Sequence, residues 1–234
     1  MYFDWTYLIL VLPAAIFAMW ASSRVTKTFQ QYRTQRSLSG ITGAQAARRI
    51  LDANGLSQVQ VEHVSGDLTD HYDPKANVVR LSDSVYTDSS TAAVGIACHE
   101  VGHALQYADG YGPVKLRMAI IPVTQIGSKL ALPLILIGLF LNYLSGMFLT
   151  VAYVGIGLFA LSTFFQLVTL PVEYNASNRA LQQIQEHGIL REAEMQGAKS
   201  VLSAAALTYV AALAVSLMQL LRFLILVGGR RSRD

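Results

Sequence analysis

Four long apolar stretches run through this chain, separated by one large polar segment and two smaller ones. The apolar runs fall at about Trp5 to Ala21, Met118 to Leu141, Met147 to Leu170 and Leu202 to Val227. A helix crosses a bilayer with roughly 20 predominantly apolar residues, so this pattern predicts four transmembrane helices. Pro122 and Pro133 interrupt the second run and predict a kink there. The N-terminal MYFDW carries Asp4 and no basic residue, which argues against a cleaved signal peptide at the first run.

The segment between the first and second runs carries both helical and strand periodicity, and predicts a small α+β domain. Gly43 to Asn54 reads as a helix with Thr42 as its cap and Gly55 as its stop. Val59 to Val64 alternates as a strand, and Leu68 to Tyr72 and Val78 to Leu81 flank the turn sequence Asp73-Pro74-Lys75-Ala76-Asn77. Ser89 or Ser90 then caps a helix from about Thr91 to Ala108 that stops at Asp109-Gly110, and Pro113 opens the helix entering the second span. The expected division is a first span in 1–23 and the α+β loop domain in 24–117. Two spans follow in 118–171, then a helix and connector in 172–201, and a fourth span with a basic tail in 202–234. There is no internal repeat.

Composition strengthens the membrane reading: 53% of the 234 residues are hydrophobic and 14% charged. The net charge of +3 raises the question of nucleic acid. The basic residues, however, sit beside apolar runs, as Arg24, Lys27, Arg33, Arg36, Lys115, Arg117, Arg179 and Lys199 do, and so predict membrane-flanking charges with no nucleic-acid partner. Four spans put these residues on one side, and the positive-inside rule places the large loop in the cytoplasm with both termini opposite. The tail residues Arg230, Arg231 and Arg233 pull the other way. The single cysteine, Cys98, excludes an intramolecular disulfide and fits a reducing compartment.

Candidate chemistry lies in the predicted helix over 91–108, which contains Ala97-Cys98-His99-Glu100-Val101-Gly102-His103-Ala104. Histidines four apart on a helix stack on one face, where both imidazoles reach one tetrahedral ion. Glu100 falls beside that ion, placed to take a proton from water there. A helix of Ala, Val, Ile and Gly otherwise offers two buried imidazoles and a carboxylate few partners. Gly102, lacking a side chain, allows another backbone or a substrate close approach. Cys98 faces away from His99 and reads as a packing residue.

A catalytic zinc takes three protein ligands and keeps one position open. His63 lies at an outward phase of a strand, and His187 precedes the helix-ending Gly188. Glu62, Glu186 and Asp109 are also available. Glu173 stands out, two residues past Leu170-Pro171 at the exit of the third span, where it reads as opening a new helix. Two crossings return the chain to the side that holds His99 and His103.

The HEVGHALQ stretch, the upstream LTDHYDP…VRLS segment and the downstream LPVEYNASNRA and AAALTYVAAL segments resemble the YugP-type membrane zinc metallopeptidases, over about Gly43 to Leu213. More distantly, the order of hairpin, H-E-x-x-H helix, two spans and Glu-led helix is similar to the HtpX-type membrane proteases. The resemblance implies a mainly α membrane protein, with a zincin-like catalytic domain inserted between the first and second of four transmembrane helices. It implies one zinc per chain on His99, His103 and Glu173, with Glu100 as the base. In the HtpX-type pattern an Asp follows the ligand Glu at the fourth position, where this chain has Ser177. Ser177 or Asn175 is therefore expected to orient a ligand histidine. The resemblance further suggests that the strand with His71 and Tyr72 edges the cleft and pairs with an extended substrate, with His71 stabilising the oxyanion. Arg179 reads as a solvated or lipid-facing cation.

The expected function is a multi-pass, bacterial-type plasma-membrane zinc endopeptidase acting on polypeptides embedded in or delivered by the lipid bilayer, with any membrane partner subunit unknown. The alternative is a non-catalytic zinc-stabilised scaffold or chaperone, which has no use for Glu100.

Overall fold

The computed structural model describes residues 4–231. Arg233, the first three residues of MYFDW and the side chains of Arg230 and Arg231 lie outside that description. Along the chain come α1 (Leu12–Arg33), α2 (Gly43–Ala53), β1 (Gln60–Val64), β2 (His71–Asp73), β3 (Val78–Ser82), α3 (Asp83–Tyr86), α4 (Thr91–Ala108), α5 (Gly112–Leu141), α6 (Met147–Glu186) and α7 (Glu192–Arg231). A π-helical stretch, Tyr7–Val11, leads into α1. The protein is thus mainly helical with one small sheet, and four of its helices are long and apolar enough to cross a membrane.

The local signals act as their chemistry dictates. Thr42 and Gln45 form a reciprocal capping box at the start of α2, and Gly55 takes the left-handed conformation just past its end. The Ser90 side chain accepts from the Ala93 N–H at the start of α4. In the β2–β3 turn, Asp73 Oδ1 accepts from the N–H groups of Lys75 and Ala76, and Asn77 sits at φ +54°.

Two expectations are corrected. Glu173 does not open a helix, because α6 is unbroken from Met147 to Glu186 with Pro171 in its interior. Proline usually ends a helix by removing an N–H and crowding the preceding turn. Where apolar surroundings offer the backbone no water, continuing the helix is the cheaper course. Likewise α7 already begins at Glu192 rather than at Leu202, and residues 187–191 connect it to α6. A smaller difference concerns β2, which starts at His71 rather than Leu68. Leu68 is at φ +56°, and the Asp70 carboxylate is committed to the Ser82 backbone N–H and hydroxyl.

The chain divides into two compact units. One holds the segments up to Ala21, from Lys115 to Leu170 and from Thr208 onward. Its interior gathers Ile135, Leu149, Ala152, Ile156, Phe223 and Val227, and Gly138 and Gly155 bring α5 against the backbone of α6. Outside, large apolar side chains such as Val123, Ile126, Leu136 and Phe140 are exposed, the surface expected of helices solvated by lipid.

The other unit holds Ser22–Val114 and Pro171–Leu207. Its sheet has the order β1-β3-β2, with β1 parallel and β2 antiparallel to β3. Ile50, Leu51, Val79, Leu81, Val94, Val101, Ile184 and Leu202 share its core with Cys98, as expected for a packing residue. Burial pushes the Cys98 thiol far above its usual pKa, so it stays protonated and inert. α4 runs through this core. Gly95 meets Ala198 of α7 at 3.1 Å, and Gly102 lies against the backbone of Ala176 of α6.

Candidate metal centre

The close approach at Gly102 sets the site. A Cβ at this position would collide with the Ala176 carbonyl oxygen, so glycine is what lets α4 and α6 touch along the turn that carries the charged residues. One turn of α4 presents His99 and His103, whose rings stand edge to face at 4.8 Å between centroids. The facing turn of α6 presents Glu173 and Ser177. Glu173 is 2% exposed, and its Oε2 lies 3.3 Å from His99 Nε2 and 3.5 Å from His103 Nε2.

These distances test the fit of a metal. Ligands about 2.0–2.1 Å from a tetrahedral zinc stand roughly 3.3 Å apart. The two nitrogens and the oxygen approach that spacing, all within 4.8 Å of one another. Two imidazoles and a carboxylate are also a usual donor set of a catalytic zinc with one position left open. The residues fit the ion.

The outer face of the His103 ring fixes its tautomer. Gln106 is fully buried, and its Nε2 donates to the Val172 carbonyl at 2.8 Å and to Asn175 Oδ1 at 2.9 Å. A carbonyl only accepts, so the amide nitrogen must face it, and Gln106 Oε1 is left for His103 Nδ1 at 3.1 Å. The Nδ1 therefore carries the proton, and the Nε2 lone pair points at the cluster. His99 Nδ1 is 3.1 Å from Ser177 Oγ, a hydroxyl that orients the ring and can either accept from it or donate to it.

Electrostatics also favour a cation here. Burial works against a charged His103, but its hydrogen bonds with Glu173 and Gln106 and the charges of Glu100 and Glu173 outweigh that and raise its pKa. Glu100 is itself buried, at 8% exposed. It acts on Asp70, whose pKa is raised by burial first and by the Glu100 charge in addition, against the lowering hydrogen bonds from Ser82.

The structure brings together His99, His103, Glu173 and Ser177. Asn175 stands one step further out, reaching His103 through Gln106. It also accepts from Arg179 Nε at 2.9 Å, and Arg179 pairs with Asp109. Arg179 is thus tied into the network rather than solvated. Gln106 was missed by the sequence reading. It lies three residues after His103, on the same helix face, and that spacing was the available signal.

His71 is not brought into the cluster. It shares a row of the sheet with Arg80 and Glu62, and its ring contacts the Thr69 carbonyl at 2.8 Å and Arg80 Nη1 at 3.4 Å on the exposed face. Strand alternation turns Tyr72 the other way, onto Tyr107 of α4 at 5.4 Å between ring centroids. His63 bonds Asp83, His187 and Glu186 bond glutamines of their own helix, and Glu62 pairs with Arg80.

The Gln106 contact has a measurable consequence. Gln106→Met keeps the volume and removes the acceptor, and should weaken zinc binding about 10–100-fold, as loss of an outer partner does at other zinc sites. Chelator competition reads this directly, and unchanged affinity would show that His103 needs no such support.

Residues 7–228 match the family described as "Putative neutral zinc metallopeptidase". The chain is also 50% identical over 225 residues to a protein of Bacillus subtilis (strain 168) named "Putative membrane protease YugP", covering 96% of this chain and 98% of that one. No solved structure matches it.

Proposed function

The chain belongs to this zinc metallopeptidase family, and we propose that it is a membrane-bound endopeptidase that hydrolyses peptide bonds with Glu100 as general base. The observation that carries the proposal is the convergence of His99 Nε2, His103 Nε2 and Glu173 Oε2, each ring held from behind by a polar side chain.

When bound by these three atoms, zinc supplies acidity, bringing the pKa of water at its open position to about 7. Glu100, next to His99 on α4, takes the proton from the attacking water and delivers it to the leaving amine nitrogen. Gln106 and Ser177 keep both rings aimed during that exchange. Among the described residues β2 pairs only with β3, so its outer edge is available to an extended substrate, with Tyr72 on the side of α4. His71 contributes there through its backbone, its ring being engaged elsewhere.

The test is metal removal and return. Chelation should abolish peptide hydrolysis by the purified protein, and one equivalent of zinc should restore it. Hydrolysis that persists at zero zinc would rule the reading out, and zinc-loaded protein that cleaves no polypeptide would favour the scaffold.

The catalytic unit lies in the cytoplasm in this proposal, and the substrates are membrane-embedded or membrane-delivered chains. Asp52→Cys in a Cys98→Ala background should resist a membrane-impermeant thiol reagent in intact cells and react after lysis. Labelling of intact cells would invert the orientation.

A further inference from the structure

The unit formed by α5, α6 and the neighbouring spans contains a groove whose largely apolar walls carry several polar side chains. Thr124, Gln125 and Ser128 of α5 and Ser162 and Gln166 of α6 line it with Ile121 and Phe165, around an open volume of about 340 Å³. The hydroxyls are satisfied on their own helices: Thr124 donates to the carbonyls of Ile120 and Ile121, Ser128 to Gln125 and Ser162 to Leu158. The carboxamides of Gln125 and Gln166 make no hydrogen bond among the described residues. Lys129 lies one turn on from Gln125 on the same face of α5, exposed, and among the described residues it forms no ion pair. It sits near the middle of the apolar run from Met118 to Leu141, too deep for its amine to reach either headgroup layer at ease. Around it, Val123, Ile126 and Leu130 are exposed as lipid-facing residues are.

Two carboxamides and an ammonium left to hydrocarbon are costly, and such groups in membrane proteins almost always have partners. We propose that this groove takes a transmembrane helix of a partner protein, one that carries a carboxylate opposite Lys129 and polar side chains facing Gln125 and Gln166. A second copy of this chain is the poorer occupant, because a two-fold contact through this face would set Lys129 against Lys129. A lipid headgroup is excluded by depth. The inference rests on the reading of α5 and α6 as membrane spans.

The full-length chain in phosphatidylcholine vesicles tests it against a labelled single-span helix of leucine and alanine with one glutamate at its midpoint, association being read by energy transfer. The glutamate helix should associate about tenfold more tightly than the same helix with leucine or lysine there. Lys129→Glu should reverse the preference toward the lysine helix, and Gln125→Leu with Gln166→Leu should weaken the glutamate helix. Equal association of the three probes, a preference unchanged in Lys129→Glu, or self-crosslinking of Lys129→Cys would overturn the proposal. In a Cys98→Ala background, Lys129→Cys that reacts with a membrane-impermeant maleimide in sealed vesicles would instead sink the span reading itself. An unreactive cysteine with indiscriminate probes would sink the partner alone.

Discussion

Glu100→Gln should retain one zinc per chain and lose turnover by about 10²–10⁴-fold, the usual worth of a positioned general base. That corresponds to roughly 3–5 kcal/mol of transition-state stabilisation. The substitution changes one oxygen for an amide nitrogen in a buried side chain and alters no volume. The atoms that could hold the ion are His99 Nε2, His103 Nε2 and Glu173 Oε2, and the substitution replaces none of them. Zinc content and melting temperature should therefore stay at the wild-type level while hydrolysis falls. A variant of full activity would remove Glu100 from the mechanism, and one that loses zinc would make Glu100 a ligand.

Much of the metal helix was legible in the sequence, because its signals are local. Ser90, the four-residue spacing of His99 and His103, and the Asp109-Gly110 stop each act within one or two turns. Gly102 was also legible as a point of close approach, although only the fold names Ala176 as what approaches. The continuity of α6 was not legible. Pro171 is a helix breaker in water, and the sequence does not carry the solvent around it. Gln106 showed only in its spacing from His103, for a related reason. A glutamine matters when burial strips it of water, and the carbonyl that orients it comes from Val172 on a helix far along the chain. The facing of His71 was not legible either: its side of the sheet depends on the pairing of β2 with β3, and that register aligns it with Arg80 and turns Tyr72 toward α4.

Glu173→Ala should produce the largest loss of metal. Glu173 is expected as the third zinc ligand; at a helix start the helix dipole would be the rival explanation for a carboxylate there. In the interior of α6 that explanation is gone, and Oε2 lies 3.3 Å from His99 Nε2 and 3.5 Å from His103 Nε2. On the proposed reading, this buried carboxylate cannot be removed at small cost to the metal. Taking one of three ligands away should weaken zinc binding well beyond the about 10–100-fold of an outer-partner change, and activity should fall with it. Glu173→Gln keeps the volume and separates loss of the ligand from loss of packing. The deciding measurement is zinc per folded chain in wild type and the two variants, purified side by side after dialysis against a weak chelator. A value near one for wild type and near zero for both variants is the predicted result, and stoichiometric zinc in folded Glu173→Ala would contradict a centre built from His99, His103 and Glu173.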